Sequence, residues 1–167
     1  MMREDRKGSF IEVGMAEMKI ASAPEVLITR GLGSCVGIVL YEPLSKIGGL
    51  AHPMLPDIEK AKIKSNRAKF VNSVVEAMVE ELIKKGARKT ALIAKIFGGG
   101  HMFSAIPYDS PFNIGIKNVS KAKEVLNSLK IRIVAEDTGG NYGRTIEFHL
   151  STGEVKVKTL FHGVKQV

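Results

Sequence analysis

The sequence predicts an α+β fold: a layered sandwich of mainly antiparallel or mixed β-sheet with two principal helices, in a single domain spanning residues 1–167. Three observations carry that expectation. The 167 residues match one ordinary domain. Hydrophobic periodicity orders the elements as three strands, a helix, a strand, a helix and three strands. Two helices are too few to cover both faces of a large parallel sheet, so strands must also cover strands. Apolar residues at 44% against 25% charged exclude a disordered chain.

Residues 1–8 mix Arg3, Arg6 and Lys7 with Glu4 and Asp5. They read as a flexible N-terminal stretch, with no signal-peptide apolar run behind them. Apolar residues alternate from Phe10 to Met15 and again near Met18 and Ile20, as in an early strand or irregular β segment. Ala21 to Pro24 is a turn, and Glu25 to Arg30 is a β-rich run that stops at Gly31-Leu32-Gly33-Ser34. Cys35 opens a second strand through Tyr41. Glu42 to Lys46 is a turn, because Pro43 has no N–H for a central ladder, and Ile47 to Pro53 returns as a third strand.

Met54 to Lys64 is polar and irregular. The clearest helix follows, capped by Ser65 or Asn66 and ended near Gly86. Within it Phe70, Val74, Met78 and Leu82 recur every fourth residue beside Val71, Val75, Val79 and Ile83, a wide stripe for packing on a sheet. Thr90 to Phe97 is a buried-type strand running into Gly98-Gly99-Gly100, and His101 to Phe112 is a loop. A second helix spans about Asn113 to Leu129. Ile131 to Ala135 is a strand and Asp137 to Gly143 a glycine-rich connection. Arg144 to Leu150 and Glu154 to Leu160 form a hairpin around Ser151-Thr152-Gly153.

The chemistry gathers at Gly31-Leu32-Gly33-Ser34-Cys35. Two glycines before a cysteine build a tight turn that presents a thiol at a strand start, with N–H groups of Gly33 and Ser34 beside it for an oxyanion. If the strands of Cys35 and His52 pair around a turn centred between Pro43 and Leu44, the two residues face each other directly. An imidazole beside a thiol generates the thiolate, protonates a leaving group and activates water. Thr29, two residues before the glycine turn, is expected on the adjacent strand, its hydroxyl orienting the imidazole. On the residues alone, an activated thiol and a small buried hydrophobe stand about level.

Other signals are weaker. Phe97-Gly98-Gly99-Gly100-His101 lacks the Lys-Ser/Thr of a phosphate loop. His52, His101, His149 and His162 have no zinc-ligand spacing, and the one cysteine excludes a cysteine-rich metal site and an intramolecular disulfide, so neither metal nor cofactor is expected. No run approaches membrane-span length, and the chain reads as soluble and cytoplasmic, where a lone thiol stays reduced. A net charge of +8 draws acidic partners. The lysines are dispersed, and with three tyrosines, no tryptophan and no nucleic-acid signature, nucleic acid is the weaker reading.

The run LITRGLGSCVGIVLYEPLSKIGGLAHPMLP resembles the signature of the chemoreceptor glutamine deamidases, the CheD family, and AKIFGGGHMF, NIGIKNV and AEDTGGNYGR continue it in the family's order. The resemblance implies an amidohydrolase of linear amides with a Cys–His–Thr triad falling on Cys35, His52 and Thr29. Its implied substrates are glutamines of the cytoplasmic helical domains of chemoreceptors, turned to glutamate in chemotaxis adaptation. It implies a CheC-type response-regulator phosphatase as partner, and a site rim at Gly98, Gly99 and Gly100. The competing reading is a non-catalytic basic module binding an acidic protein, such as that phosphatase, or nucleic acid.

Overall fold

Strands dominate the computed structural model, which describes residues 8–167. The expected flexible stretch therefore lies, for residues 1–7, outside the described residues. In chain order the elements are β1 (Phe10–Glu12), β2 (Met18–Ser22), β3 (Val26–Leu32), β4 (Val36–Glu42), β5 (Ile47–Ala51), α1 (Val71–Lys84), β6 (Ile93–Gly98), α2 (Ile114–Ser128), β7 (Arg132–Thr138), β8 (Arg144–His149), β9 (Val155–Thr159) and β10 (Gly163–Gln166). They form two five-stranded sheets, ordered β1-β3-β8-β9-β10 and β2-β5-β4-β6-β7. The β1/β3 and β6/β7 pairs are parallel and the others antiparallel. The architecture is the α+β sandwich expected from the element order.

Three layers follow from where the apolar residues go. Val36, Ile38 and Leu40 of β4 join Val71, Val74, Met78 and Leu82 of α1 and Ala122 and Leu126 of α2 in one core. Val39 and Tyr41, on the other face of β4, join Leu27, Ile146, Phe148 and Val157 of the first sheet in the second core. With helices on one face and a sheet on the other, all seven residues of β4 are buried. That double coverage explains why this segment reads as a continuous apolar run instead of alternating.

Local differences from the expected elements have physical reasons. The N-terminal β segment is two strands in opposite sheets, split at the turn around Ala16, where φ is +59°. Helix α1 starts at Val71, because the preceding backbone is committed elsewhere. Met54 and Leu55 N–H groups donate to the Lys69 carbonyl, and Phe70 bridges to Leu55 in extended conformation. Asn66 caps a short 3₁₀ turn instead, accepting from Ala68 N–H at 3.0 Å. Asn113, where the second helix was expected to begin, is its cap and accepts from Ile116 N–H. Strand β10 is exposed at all four positions, so it carries no apolar alternation by which to find it. Among the described residues, no helix is long and apolar enough to cross a membrane.

Candidate active site

The glycine turn joins β3 of one sheet to β4 of the other and therefore crosses the sandwich. Gly31 has φ +74°, and Gly33 N–H closes the turn on the Gly31 carbonyl at 3.0 Å. Gly33 thus spends its N–H on the turn. Among the described residues no other group accepts from the Ser34 or Cys35 N–H except the Cys35 sulfur, leaving these two donors beside the thiol. The turn lies on Gly98–Gly100. Gly99 N–H donates to the Cys35 carbonyl at 2.9 Å and Gly100 N–H to the Gly33 carbonyl at 2.8 Å. A Cβ on Gly98, whose φ is +92°, would stand 2.5 Å from the Cys35 carbonyl oxygen, so only glycine fits.

Cys35 and His52 share the face of the second sheet that looks into the sandwich, but in a register two residues from the one expected. Ile38 pairs with Ala51 and Glu42 with Ile47, so the hairpin loop runs from Pro43 to Lys46, with Lys46 at φ +54°. Continued past its last pair, this register sets His52 opposite Gly37, with Cys35 one pleat further along. Because the side-chain period is two, the shift preserves the shared face.

Thr29 comes from the opposite sheet instead of an adjacent strand. It is fully buried on β3 and reaches His52 across the interlayer, Oγ1 to Nδ1 at 2.7 Å. The same hydroxyl donates to the Val13 carbonyl at 2.6 Å. A hydroxyl has one proton. With that proton on Val13, Thr29 accepts from His52 Nδ1–H, and the neutral ring keeps its lone pair on Nε2. That nitrogen is buried with no protein partner among the described residues. The backbone of His52 is clasped at the same time: its carbonyl accepts from Ala16 N–H at 2.8 Å and its N–H donates to the Glu17 carbonyl at 3.0 Å.

Burial pushes the Cys35 thiol up and the His52 imidazole down, each away from its charged form. The two groups on this face are therefore a thiol and a neutral imidazole with a free Nε2. This arrangement can pass a proton from sulfur to nitrogen as the sulfur attacks an electrophilic carbon, with two N–H donors at hand for the charge that develops.

Gly98, Gly99 and Gly100 are buried beneath the turn and serve as its bed. The exposed edge is the following loop, where Met102, Phe103 and Phe112 are solvent-facing, around a cleft of about 100 Å³ that reaches Ser34. His101 donates its N–H to the Gly140 carbonyl and sets its ring against Tyr108. Arg144, also fully buried, holds the glycine-rich 137–143 connection through Asp137 and the Gly139 carbonyl at 2.9 Å. Among the described residues, no three His, Cys, Asp or Glu side chains gather as a metal site.

A family model described as CheD chemotactic sensory transduction matches residues 54–159. The chain is 50% identical over 161 residues to the probable chemoreceptor glutamine deamidase CheD of Caldanaerobacter subterraneus subsp. tengcongensis, covering 96% of this chain and 99% of that one. The protein of the same name from Lachnoclostridium phytofermentans is 45% identical, with 96% and 99% covered. Probable chemoreceptor glutamine deamidase CheD 1 of Methanosarcina acetivorans is 46% identical, with 94% and 96% covered. The chain belongs to the CheD family. Among solved structures it is similar to the Bacillus licheniformis hypothetical protein YfiH, with a TM-score of 0.46 and 14% identity, over 71% of this chain and 49% of that one.

The CheD-family match by residue 54 begins after the cysteine, the histidine and the threonine, whereas the relatives extend across them. Two contributors to the site escape a reading of the sequence. The Val13 carbonyl, which takes the Thr29 proton, is backbone and leaves no residue-type signal. Asn118 reaches the Ser34 carbonyl from 84 positions away; it sits in the NIGIKNV run, which marks the segment but not its contact.

Proposed function

We propose that this chain is a protein-glutamine deamidase that converts chosen glutamines of chemoreceptor cytoplasmic domains to glutamate, with Cys35 as nucleophile, His52 as acid and base, and Thr29 as the orienting hydroxyl. The observation that carries this reading is the buried Thr29–His52 hydrogen bond, which leaves Nε2 free on the face of the only cysteine in the chain. The names of its full-length relatives supply the substrate.

The reaction runs in two halves. His52 Nε2 takes the Cys35 proton while the sulfur bonds to the glutamine carboxamide carbon. The oxygen of that carbon becomes an oxyanion, stabilised by the Ser34 and Cys35 N–H groups. His52 returns the proton to the nitrogen, the carbon–nitrogen bond breaks and ammonia leaves, with a thioester on Cys35. A water then gives a proton to His52 and attacks the thioester. The sulfur leaves, recovers the proton, and glutamate is released. One water is consumed and one ammonia formed, without a cofactor.

The substrate places the reaction in the cytoplasm, and the excess positive charge draws acidic receptor surface to the chain. A CheC-type phosphatase is the proposed regulatory partner, competing with the receptor. The test incubates purified protein with a receptor cytoplasmic fragment and follows glutamine-to-glutamate conversion by peptide mass spectrometry. Conversion that Cys35→Ala abolishes is expected. Absence of conversion by the native protein, or undiminished conversion by the variant, overturns the reading.

A further inference from the structure

The β4–β5 ladder ends at Ile38 and Ala51, before it reaches the chemistry. Cys35 and His52 lie past that end, where no backbone hydrogen bond joins their two chain segments. Each segment is held from elsewhere: the cysteine side by Gly99 and Gly100, the histidine side by Ala16, Glu17 and Lys69. These supports belong to different parts of the chain, and none of them joins the two segments directly.

One side chain does. Asn118, on α2, is fully buried, and its Nδ2 donates to the Ser34 carbonyl at 2.9 Å and to the Met54 carbonyl at 3.0 Å. Ser34 precedes the nucleophile by one residue and Met54 follows the histidine by two. A single carboxamide with two N–H protons therefore ties both segments. It also sets an orientation. In a trans peptide the carbonyl and the next N–H point in opposite directions. Turning the Ser34 carbonyl toward α2 points the Cys35 N–H away from the helix, onto the side of its own sulfur. The Asn118 Oδ1 has no protein partner among the described residues, so the side chain is held by what it donates.

We propose that Asn118 is a positioning residue: by bridging the carbonyls of Ser34 and Met54 it sets the spacing of Cys35 and His52 and the aim of the Cys35 N–H. The proposal rests on the reading of Cys35 as nucleophile and His52 as its base. Misplacing reacting groups by an ångström costs about 100-fold in rate.

Two variants test it, Asn118→Ala and the near-isosteric Asn118→Leu, which keeps the volume and loses both donors. Each is checked for folding by circular dichroism and thermal melting. On a receptor fragment, kcat is expected to fall about 100-fold with KM little changed. A second readout needs no receptor: the pH profile of Cys35 alkylation by iodoacetamide. Loss of the bridge uncouples the thiol from the imidazole, so the profile moves to that of His52→Ala, and the double variant moves no further. A folded variant with native kcat and a native alkylation profile overturns the proposal, as does a double variant whose effects simply add. If both variants unfold, exchange of the Asn118 carboxamide protons in the native protein decides: protection supports the bridge, and exchange at the rate of an exposed asparagine overturns it. Failure of the native protein to deamidate the fragment sinks the deamidase reading instead, and the alkylation profile still decides on Asn118.

Discussion

The hairpin of β4 and β5 is held differently at its two ends. From Ile38–Ala51 to Glu42–Ile47 five consecutive residue pairs form a ladder, and the Lys46 N–H closes the loop on the Glu42 carbonyl at 2.9 Å. Glycine lets the layers close there: a Cβ on Gly48 would stand 2.9 Å from the Phe148 ring. At the other end the ladder has stopped. Side chains and distant backbone take over: Thr29 from the opposite sheet, the turn at residues 13–17, the glycine bed at 98–100 and Asn118 from α2. A ladder satisfies its own donors and acceptors and leaves none for chemistry. Where it ends, N–H groups and an imidazole nitrogen are free, and they need outside support to stay in place. Stability is concentrated at one end and the proposed chemistry at the other.

Substitutions sharpen this contrast, beginning with the largest effect. Cys35→Ala is expected to lower deamidation by about 10⁴-fold or more while the thermal melt stays near native, measured by peptide mass spectrometry and calorimetry. Thr29→Val removes the acceptor for His52 Nδ1–H and strips the Val13 carbonyl of its donor. It should cut kcat by about 10³-fold and destabilise by about 1–3 kcal/mol for each buried group left unpaired. Thr29→Ser, which keeps the hydroxyl, restores most of both. Gly98→Ala drives a methyl into the Cys35 carbonyl, 2.5 Å away, and should lower kcat about 100-fold by shifting the nucleophile.

The pH dependence follows from the two burial effects. His52 titrates below its ordinary 6.5 and Cys35 above its ordinary 9.0. Below the first, the imidazolium cannot take the thiol proton; above the second, no proton remains for the departing nitrogen. A pH–rate profile of kcat/KM is therefore expected to be bell-shaped, with its acid midpoint below 6.5 and its alkaline midpoint above 9.0. The smallest effect on catalysis belongs to the ladder end. Gly48→Ala crowds Phe148 and the Leu40 carbonyl and should cost about 1–3 kcal/mol of stability, with kcat per folded molecule unchanged. A fall in kcat there would break the division between the two ends.

The same contrast explains what was legible in the sequence. Strand type follows from local composition, so β4 and β5 could be read directly, and the shared face of Cys35 and His52 followed from pairing them as a hairpin. The pairing register could not, because it depends on the loop at Pro43–Lys46, where Lys46 takes a left-handed conformation that residue type does not announce. The error was two residues, an even number, and the face survived it. Periodicity also says nothing about which sheet a strand joins, so Thr29 was expected beside the hairpin and stands across from it. Asn118 and the Val13 carbonyl act over long sequence separations and left no local pattern at all.

The proposed chemistry turns on Cys35 forming a covalent bond to the substrate carbon. Native protein mixed with a receptor cytoplasmic fragment, quenched in acid within the first turnover and examined by intact mass, measures this directly. The predicted species carries the combined mass of the two chains less one ammonia, with the linkage mapped to Cys35 and labile to hydroxylamine. Deamidation that proceeds with no such adduct, and at a native rate in Cys35→Ala, would contradict it.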